Sequence, residues 1–317
     1  MPKILITVTN YQRYCSRGLK ILQDNGCEVE LNEYGRPYAP DELRRSARDA
    51  QGLIANIEKW DDSMFDAAPN LKIIARFGTG YDSIDLDAAR RHGVMVTNTP
   101  GLNASAVAEH ALALLLSLIR DIPRLNASTR RGEWKRLMFP ELAGRTLGIL
   151  GFGAVGQNLA RKASGFGLNL LAYDKFPNRE AALGLGVKLV GLDEILAASD
   201  FISINLPALP DTRHLIDDAG FKKMKDGVFI VNTARGALVD EAAAARALAG
   251  GKLAGMAADV FEVEPVPADL ELFKFENYLA TPHSASETYE NYDRTGLATA
   301  EAVLAALAGR EPRNRLA

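Results

Sequence analysis

A chain of 317 residues has room for about two domains of ordinary size. Its 47% hydrophobic and 24% charged residues exclude a disordered or collagen-like chain, and a net charge of −3 supplies no positive field to gather nucleic acid or an anionic membrane surface. Cys15 and Cys27, the only two cysteines, make neither a disulfide framework nor a metal ribbon, which fits a reducing cytoplasm.

In chain order, the β-rich run at residues 4–9 is too short for the core of a signal peptide and well sized for a first strand. A helical pattern to Asn25 follows, then a strand at 28–31, a helix near 41–48, and strands at 53–55, 71–76 and 94–98. That rhythm predicts a parallel sheet with crossover helices. Asn103 is a candidate N-cap for a long Ala- and Leu-rich helix over 104–120, whose apolar faces predict burial on several sides. Its apolar stretch, 111–119, falls well short of the ~20 residues needed to cross a bilayer. A second alternating series predicts strands near 146–150, 169–173, 201–206, 228–232, 254–259 and 278–281. A last helical pattern, about 286–308, stops at Gly309 with Pro312 close behind. No strand follows it, so its apolar positions, Leu297, Val303, Leu304 and Leu307, need a partner surface from the first domain, which would then be built from both ends of the chain.

The strand at 146–150 runs into Gly151-Phe152-Gly153-Ala154-Val155-Gly156 and then into a helical pattern. Standing alone, a G-x-G-x-x-G string is weak. Here it lies between a strand and a helix, and Asp174 follows the third glycine by 18 residues at the end of the next strand, which is the dinucleotide-binding pattern. Gly151 permits the tight turn, Gly153 lets a pyrophosphate approach the backbone, and Gly156 lets helix and strand pack closely. Asp174 can accept both ribose hydroxyls and repels a 2′-phosphate, so NAD is expected over NADP, with Lys175 beside it as a partial offset.

Ligands of a doubly wound sheet lie outside the carboxyl ends of its strands. The polar residues there are Asn205 before Pro207, Thr233-Ala234-Arg235-Gly236, Asp259 with Glu264 five residues on, and His283 after Thr281-Pro282. An Arg can hold a carboxylate in a bidentate fork, and a His paired with a carboxylate can move the proton that accompanies hydride transfer at a hydroxyl-bearing carbon, a set suited to a 2-hydroxy acid. Taken singly, Arg235 also reads as a helix cap, Glu264 as a loop residue and His283 as a structural histidine. Of the competing histidines, His92 closes a helical run and His110 sits on the long helix beside Glu109, neither at the end of a strand; His214 is the third. None of the four has metal-ligand spacing, and we expect no metal.

Together, the glycine motif, Asn232-Thr-Ala-Arg-Gly-Ala-Leu-Val-Asp240, Ala258-Asp-Val-Phe-Glu-Val-Glu-Pro265 and Thr281-Pro-His283 resemble the D-isomer-specific 2-hydroxyacid dehydrogenases, the phosphoglycerate dehydrogenase-like branch above all. Arg76-Phe-Gly-Thr-Gly-Tyr-Asp-Ser-Ile-Asp85, Thr97-Asn-Thr-Pro-Gly101 and Val107-Ala-Glu-His110 extend the likeness to essentially the whole chain. The resemblance implies a flavodoxin-like substrate domain made of 1–98 and 285–317, a Rossmann NAD-binding domain at 99–284 with a cleft between them, and a homodimer joined through the cofactor domains. It gives Arg235 the substrate carboxylate and carbonyl, and makes His283 the acid/base oriented by Glu264. Asp259 would meet the nicotinamide carboxamide, and Pro207, Thr212, Thr233 and Ala234, with Ala154 and Val155, would complete the cofactor site. Arg76, Phe77, Gly78, Thr79 and Gly80 would bind substrate, the loop through its backbone N–H groups. Three departures stand out: Asn205 replaces the usual His, Ser-Ala-Ser follows His283, and the loop Ala55-Asn56-Ile57-Glu58-Lys59 lacks the Arg common in phosphoglycerate dehydrogenases. Arg76, Lys59, Lys135 and Arg136 are the cations that can substitute for it.

The expected activity is NAD-dependent interconversion of a D-2-hydroxy acid and its 2-keto acid, 3-phosphoglycerate first, with glyoxylate or hydroxypyruvate reduction as the alternative. Glu264 argues against the formate dehydrogenases of this fold family, which lack that partner. An NAD(H)-binding corepressor-like role is the alternative from another class. With 34 residues after His283, we expect no C-terminal serine-binding module.

Overall fold

The computed structural model describes residues 1–317, which divide into two units: Met1–Asn103 with Glu287–Ala317, and Ala104–Ser286. Unit 1 holds β1 (Lys3–Ile6), β2 (Glu28–Leu31), β3 (Gly52–Ala55), β4 (Ile73–Arg76) and β5 (Met95–Thr97) in the order β2-β1-β3-β4-β5, all parallel. β3 is buried along its whole length, as a strand covered by helices on both faces must be. The C-terminal helix, Tyr289–Leu307, is capped by Thr288, whose hydroxyl accepts from the Asn291 amide at 3.3 Å. It packs into the core of this unit with Ile4, Ile6 and Val8, so the unit does draw on both ends of the chain. Of the four expected apolar positions only Val303 is fully buried; the contact stripe is mostly small, with Thr295, Gly296, Thr299 and Ala300 letting the helix lie close to its neighbours.

Unit 2 carries β6 (Thr146–Leu150), β7 (Asn169–Tyr173), β8 (Lys188–Leu189), β9 (Phe201–Ile204), β10 (Val228–Asn232), β11 (Leu253–Ala258) and β12 (Tyr278–Ala280) in the order β12-β11-β10-β9-β6-β7-β8, again all parallel. The long helix Ala104–Ile119 buries nine of its residues, six of them in a hydrophobic core of this unit. No helix is long and apolar enough to cross a membrane. Elements that the sequence reading did not name include the two-residue edge strand β8 and the helices Asp62–Asp66 and Ile122–Arg130. The chain passes between units at the start of the long helix and after Ser286, a few residues beyond the expected boundaries after residues 98 and 284. Asn103 makes no cap; its Oδ1 lies 3.4 Å from the Thr79 hydroxyl, which donates to it.

In both sheets the strand order reverses once, between β1 and β3 in unit 1 and between β6 and β9 in unit 2. Such a switch point opens a crevice beyond the carboxyl ends of the two strands.

Candidate active site

At the unit 2 switch point, β6 is followed by Gly151, which has φ 95°, and Gly153 precedes the helix Ala154–Ala163. A Cβ on Gly151 would stand 2.6 Å from the Asn205 carbonyl, and one on Gly156 would stand 2.1 Å from the Gly151 oxygen, so both close approaches need glycine. A Cβ on Gly153 would meet nothing within 4 Å, and a side chain there would enter the open space above the helix N-terminus. The first amide groups of that helix, with Ala154 and Val155, have no carbonyl partners within it, which makes the space a cradle for phosphate. At the end of β7, Asp174 Oδ2 accepts from the Phe152 amide at 2.7 Å and Oδ1 from the Phe176 amide at 2.8 Å, holding the carboxylate beside the glycine turn. Lys175 is drawn to Asp211 at 3.0 Å, so the expected offset to the Asp174 charge is already engaged.

Two buried side-chain oxygens at neighbouring strand ends lack hydrogen bonds: Asn205 Oδ1 after β9 and Thr233 Oγ1 after β10. A ligand in the crevice can satisfy them. The Thr212 hydroxyl donates to the Pro207 carbonyl at 2.7 Å and accepts from the Leu209 amide at 2.8 Å, which shapes the turn after β9. The glycine cradle, the Asp174 acceptor and the two orphaned oxygens fit NAD.

Around the ends of β10, β11 and β12 the structure gathers Arg235, Glu264 and His283. Asn232 Nδ2 donates to the Arg235 carbonyl at 2.9 Å, and a Cβ on Gly236 would stand 1.9 Å from the Phe261 carbonyl carbon, so the Arg235 turn presses against the Glu264 loop. Glu264 Oε1 accepts from the Phe261 amide at 2.9 Å, and Oε2 lies 2.7 Å from His283 Nδ1. With Nδ1 committed to the carboxylate, Nε2 is the nitrogen that can exchange a proton with substrate. Burial pushes the Glu264 carboxyl up, but the His283 bond, the Phe261 amide and the His283 and Arg235 charges outweigh it and hold the group below the usual carboxylate range. His283 has φ 50°, a conformation uncommon outside glycine, and its amide donates to the Asp259 carbonyl at 2.8 Å.

Asp259 has partners other than the expected carboxamide. It is fully buried, Oδ1 accepting from the Thr281 hydroxyl at 2.6 Å and the Ser284 amide at 2.8 Å, and Oδ2 from the Ala285 amide at 2.8 Å. Burial raises its carboxyl, and the bonds from His110, Thr281, Ser284 and Ala285 bring it below the ordinary range. It therefore ties down the residues on either side of His283. His110 joins this hub, with Nε2 3.0 Å from Thr281 Oγ1 and 3.5 Å from Asp259 Oδ1. That corrects the sequence reading, which set His110 aside because it lies on a helix. The other histidines are elsewhere: His92 stacks on Phe65 beside Asp62, and His214 Nε2 lies 3.2 Å from Glu262.

The loop Phe77-Gly78-Thr79-Gly80 follows β4 in unit 1. Its carbonyls are engaged within that unit, Gly78 accepting from the Thr99 amide at 3.0 Å and Thr79 from Asn98 Nδ2 at 2.8 Å, while the Arg76 guanidinium donates to the Phe77 carbonyl.

Residues 112–285 match the family model of the D-isomer specific 2-hydroxyacid dehydrogenase NAD binding domain. A D-3-phosphoglycerate dehydrogenase of Archaeoglobus fulgidus is 41% identical over 92% of this chain and 56% of its own length; this chain spans about half the length of the curated phosphoglycerate dehydrogenases it matches. A glyoxylate reductase of Korarchaeum cryptofilum is 35% identical over 99% of this chain and 95% of its own. Among solved structures, a Thermus thermophilus protein superimposes with a TM-score of 0.91 at 35% identity, covering 99% of this chain and 100% of that one. On this agreement of sequence and fold, the chain belongs to the D-isomer-specific 2-hydroxyacid dehydrogenase family.

Proposed function

We propose that the chain is an NAD-dependent oxidoreductase interconverting a D-2-hydroxy acid and its 2-keto acid. The observation that carries this is the 2.7 Å pairing of His283 with Glu264, on the same unit as the dinucleotide cradle and Arg235. Bound NAD(H) supplies or receives the hydride. In the reducing direction His283, as imidazolium, donates a proton from Nε2 to the carbonyl oxygen, and in oxidation it takes that proton from the hydroxyl. Glu264, 2.7 Å from Nδ1, holds the ring so that it presents Nε2. The Arg235 fork holds the substrate carboxylate and orients the carbonyl. Asp259 keeps the His283 loop in place.

Two substrate readings follow. The phosphoglycerate dehydrogenases among the relatives make 3-phosphoglycerate the first acid to try. Likeness to a glyoxylate reductase along nearly its whole length supports the second, reduction of glyoxylate or hydroxypyruvate. A panel of 2-keto acids followed by NADH absorbance tests the reaction; NADH consumption with at least one supports it, and dinucleotide binding with no consumption across the panel leaves a corepressor-like binding protein instead.

A homodimer joined through unit 2 is part of the same reading, supported by Trp134 and Met138, which are 85% and 97% exposed after the helix Ile122–Arg130. A reducing cytoplasm is supported by Cys15 and Cys27, both buried and unpaired.

A further inference from the structure

His283 stands on a segment with no regular structure of its own. Residues 281–288, which follow β12, are neither helix nor strand, and the His283 side chain is 47% exposed, so packing does little to fix it. Its backbone, at φ 50°, occupies a region that persists only where the surroundings over-determine it. Here the surroundings are hydrogen bonds to one residue. Asp259 takes the His283 amide on its backbone oxygen, and the Thr281 hydroxyl and the Ser284 and Ala285 amides on its carboxylate.

The hydrogen bonds behind Asp259 have a direction. Its carboxyl lies below the ordinary range, so at neutral pH it only accepts, and the single Thr281 hydroxyl proton goes to Oδ1 at 2.6 Å. Thr281 Oγ1 therefore meets His110 Nε2, 3.0 Å away, as an acceptor, and the network assigns a hydrogen to that nitrogen. The donors run from His110 to Thr281 to Asp259. His110 is also the one basic side chain within 4.0 Å of this fully buried carboxylate, at 3.5 Å. It stands on the long helix, where Ala108 and Ala111 are buried in the core of unit 2, and its neighbour Glu109 is taken up by Lys162 at 2.7 Å. An irregular segment is thus anchored to a rigid element.

We propose that His110 is a positioning residue for His283, its Nε2–H fixing the Thr281 hydroxyl and, through it, the Asp259 carboxylate that holds the backbone on both sides of the acid/base. The inference rests on the dehydrogenase reading above and adds to it a residue that acts through Thr281 and Asp259. Without the N–H, the Thr281 hydroxyl can turn away from Asp259, and the carboxylate loses the contact that orients it. His283 Nε2 then wanders from the reacting oxygen, a displacement that costs rate rather than binding.

The test is kcat for a 2-keto acid that the wild type reduces, expressed per NADH-binding site counted by fluorescence titration. His110→Leu removes the donor, whereas His110→Gln keeps an N–H at a reach close to that of Nε2. The Leu variant should lose about tenfold in kcat with NADH affinity near that of the wild type, and the Gln variant should stay within about threefold of the wild type. A merely structural role would lower the melting temperature and the count of binding sites but not the rate per site. Thr281→Val cuts the chain one link further on and should cost at least as much as His110→Leu; adding His110→Leu to it should cost nothing more, because the link is already gone. The proposal is overturned by a folded His110→Leu with the wild-type rate per site, by Leu and Gln variants slowed equally, or by losses that multiply in the double variant. Thr281→Val at the wild-type rate overturns it even where His110→Leu does not fold. A wild type that reduces no 2-keto acid brings down the dehydrogenase reading and the inference with it, whereas each of the other outcomes leaves that reading standing.

Discussion

The two switch points are built alike and furnished differently. In unit 2 the residues past β6 and β9 include Gly151 and Gly153, which clear a space beside a helix N-terminus, and two oxygens there await partners. In unit 1 the residues past β1 and β3 close on one another through Thr7, Asn56 and Glu58. A parallel sheet thus determines where a ligand can go, and the first few residues beyond the strands determine which ligand it is.

On the proposed reading the reaction belongs to unit 2, and His283→Ala should break it most severely. Turnover should fall by roughly two to four orders of magnitude while NADH affinity, read by fluorescence, stays near that of the wild type. Asp259→Asn comes next, because an amide cannot accept at all the positions where the Thr281, Ser284 and Ala285 donors converge. A loss of about 2 kcal/mol in urea unfolding at neutral pH is expected, together with lower kcat. The depressed Asp259 carboxyl contributes stability that is present above its unfolded pKa and is lost as pH falls through the lower folded value. Wild-type stability should therefore drop more steeply than that of Asp259→Asn below about pH 4.

Arg235→Lys keeps the charge but not the planar fork. A rise in KM for the acid and a fall in kcat, together roughly tenfold or more in kcat/KM, would show that the fork matters; unchanged kinetics would place the carboxylate elsewhere. The smallest effect is expected from Glu264→Gln, which keeps the size but replaces the carboxylate that holds His283 Nδ1, so kcat should fall by a few-fold with NADH affinity unchanged, and an unchanged kcat counts against the pair.

Much of this was legible in the sequence because parallel strands are continuous apolar runs between turn residues; β2, β7 and β10 coincide with their expected bounds. The edge strand β8 is two residues long, too short for a periodicity to show. The last helix was placed correctly but its buried face was misjudged, because Gly296, Thr299 and Ala300 carry no strong hydrophobic signal and matter through closeness of approach. The glycine turn and Asp174 were marked by their spacing from strand ends, and the pairing of Glu264 with His283 by the family resemblance. His110 did not: its partners Thr281 and Asp259 come from distant strand ends, and no local pattern links them to a helical histidine. Glu58 stood in a loop noted only for the arginine it lacks. Its burial and its bond to Thr7 come from β1 and β3 lying side by side.

The most direct test of this division of labour is the product itself. With NADH and a 2-keto acid that the protein accepts, chiral analysis and NADH absorbance together should show one D-2-hydroxy acid formed for each NADH oxidised in the wild type, and none from His283→Ala at matched NADH occupancy. Equal product from the two proteins, or an L-hydroxy acid, would contradict the account.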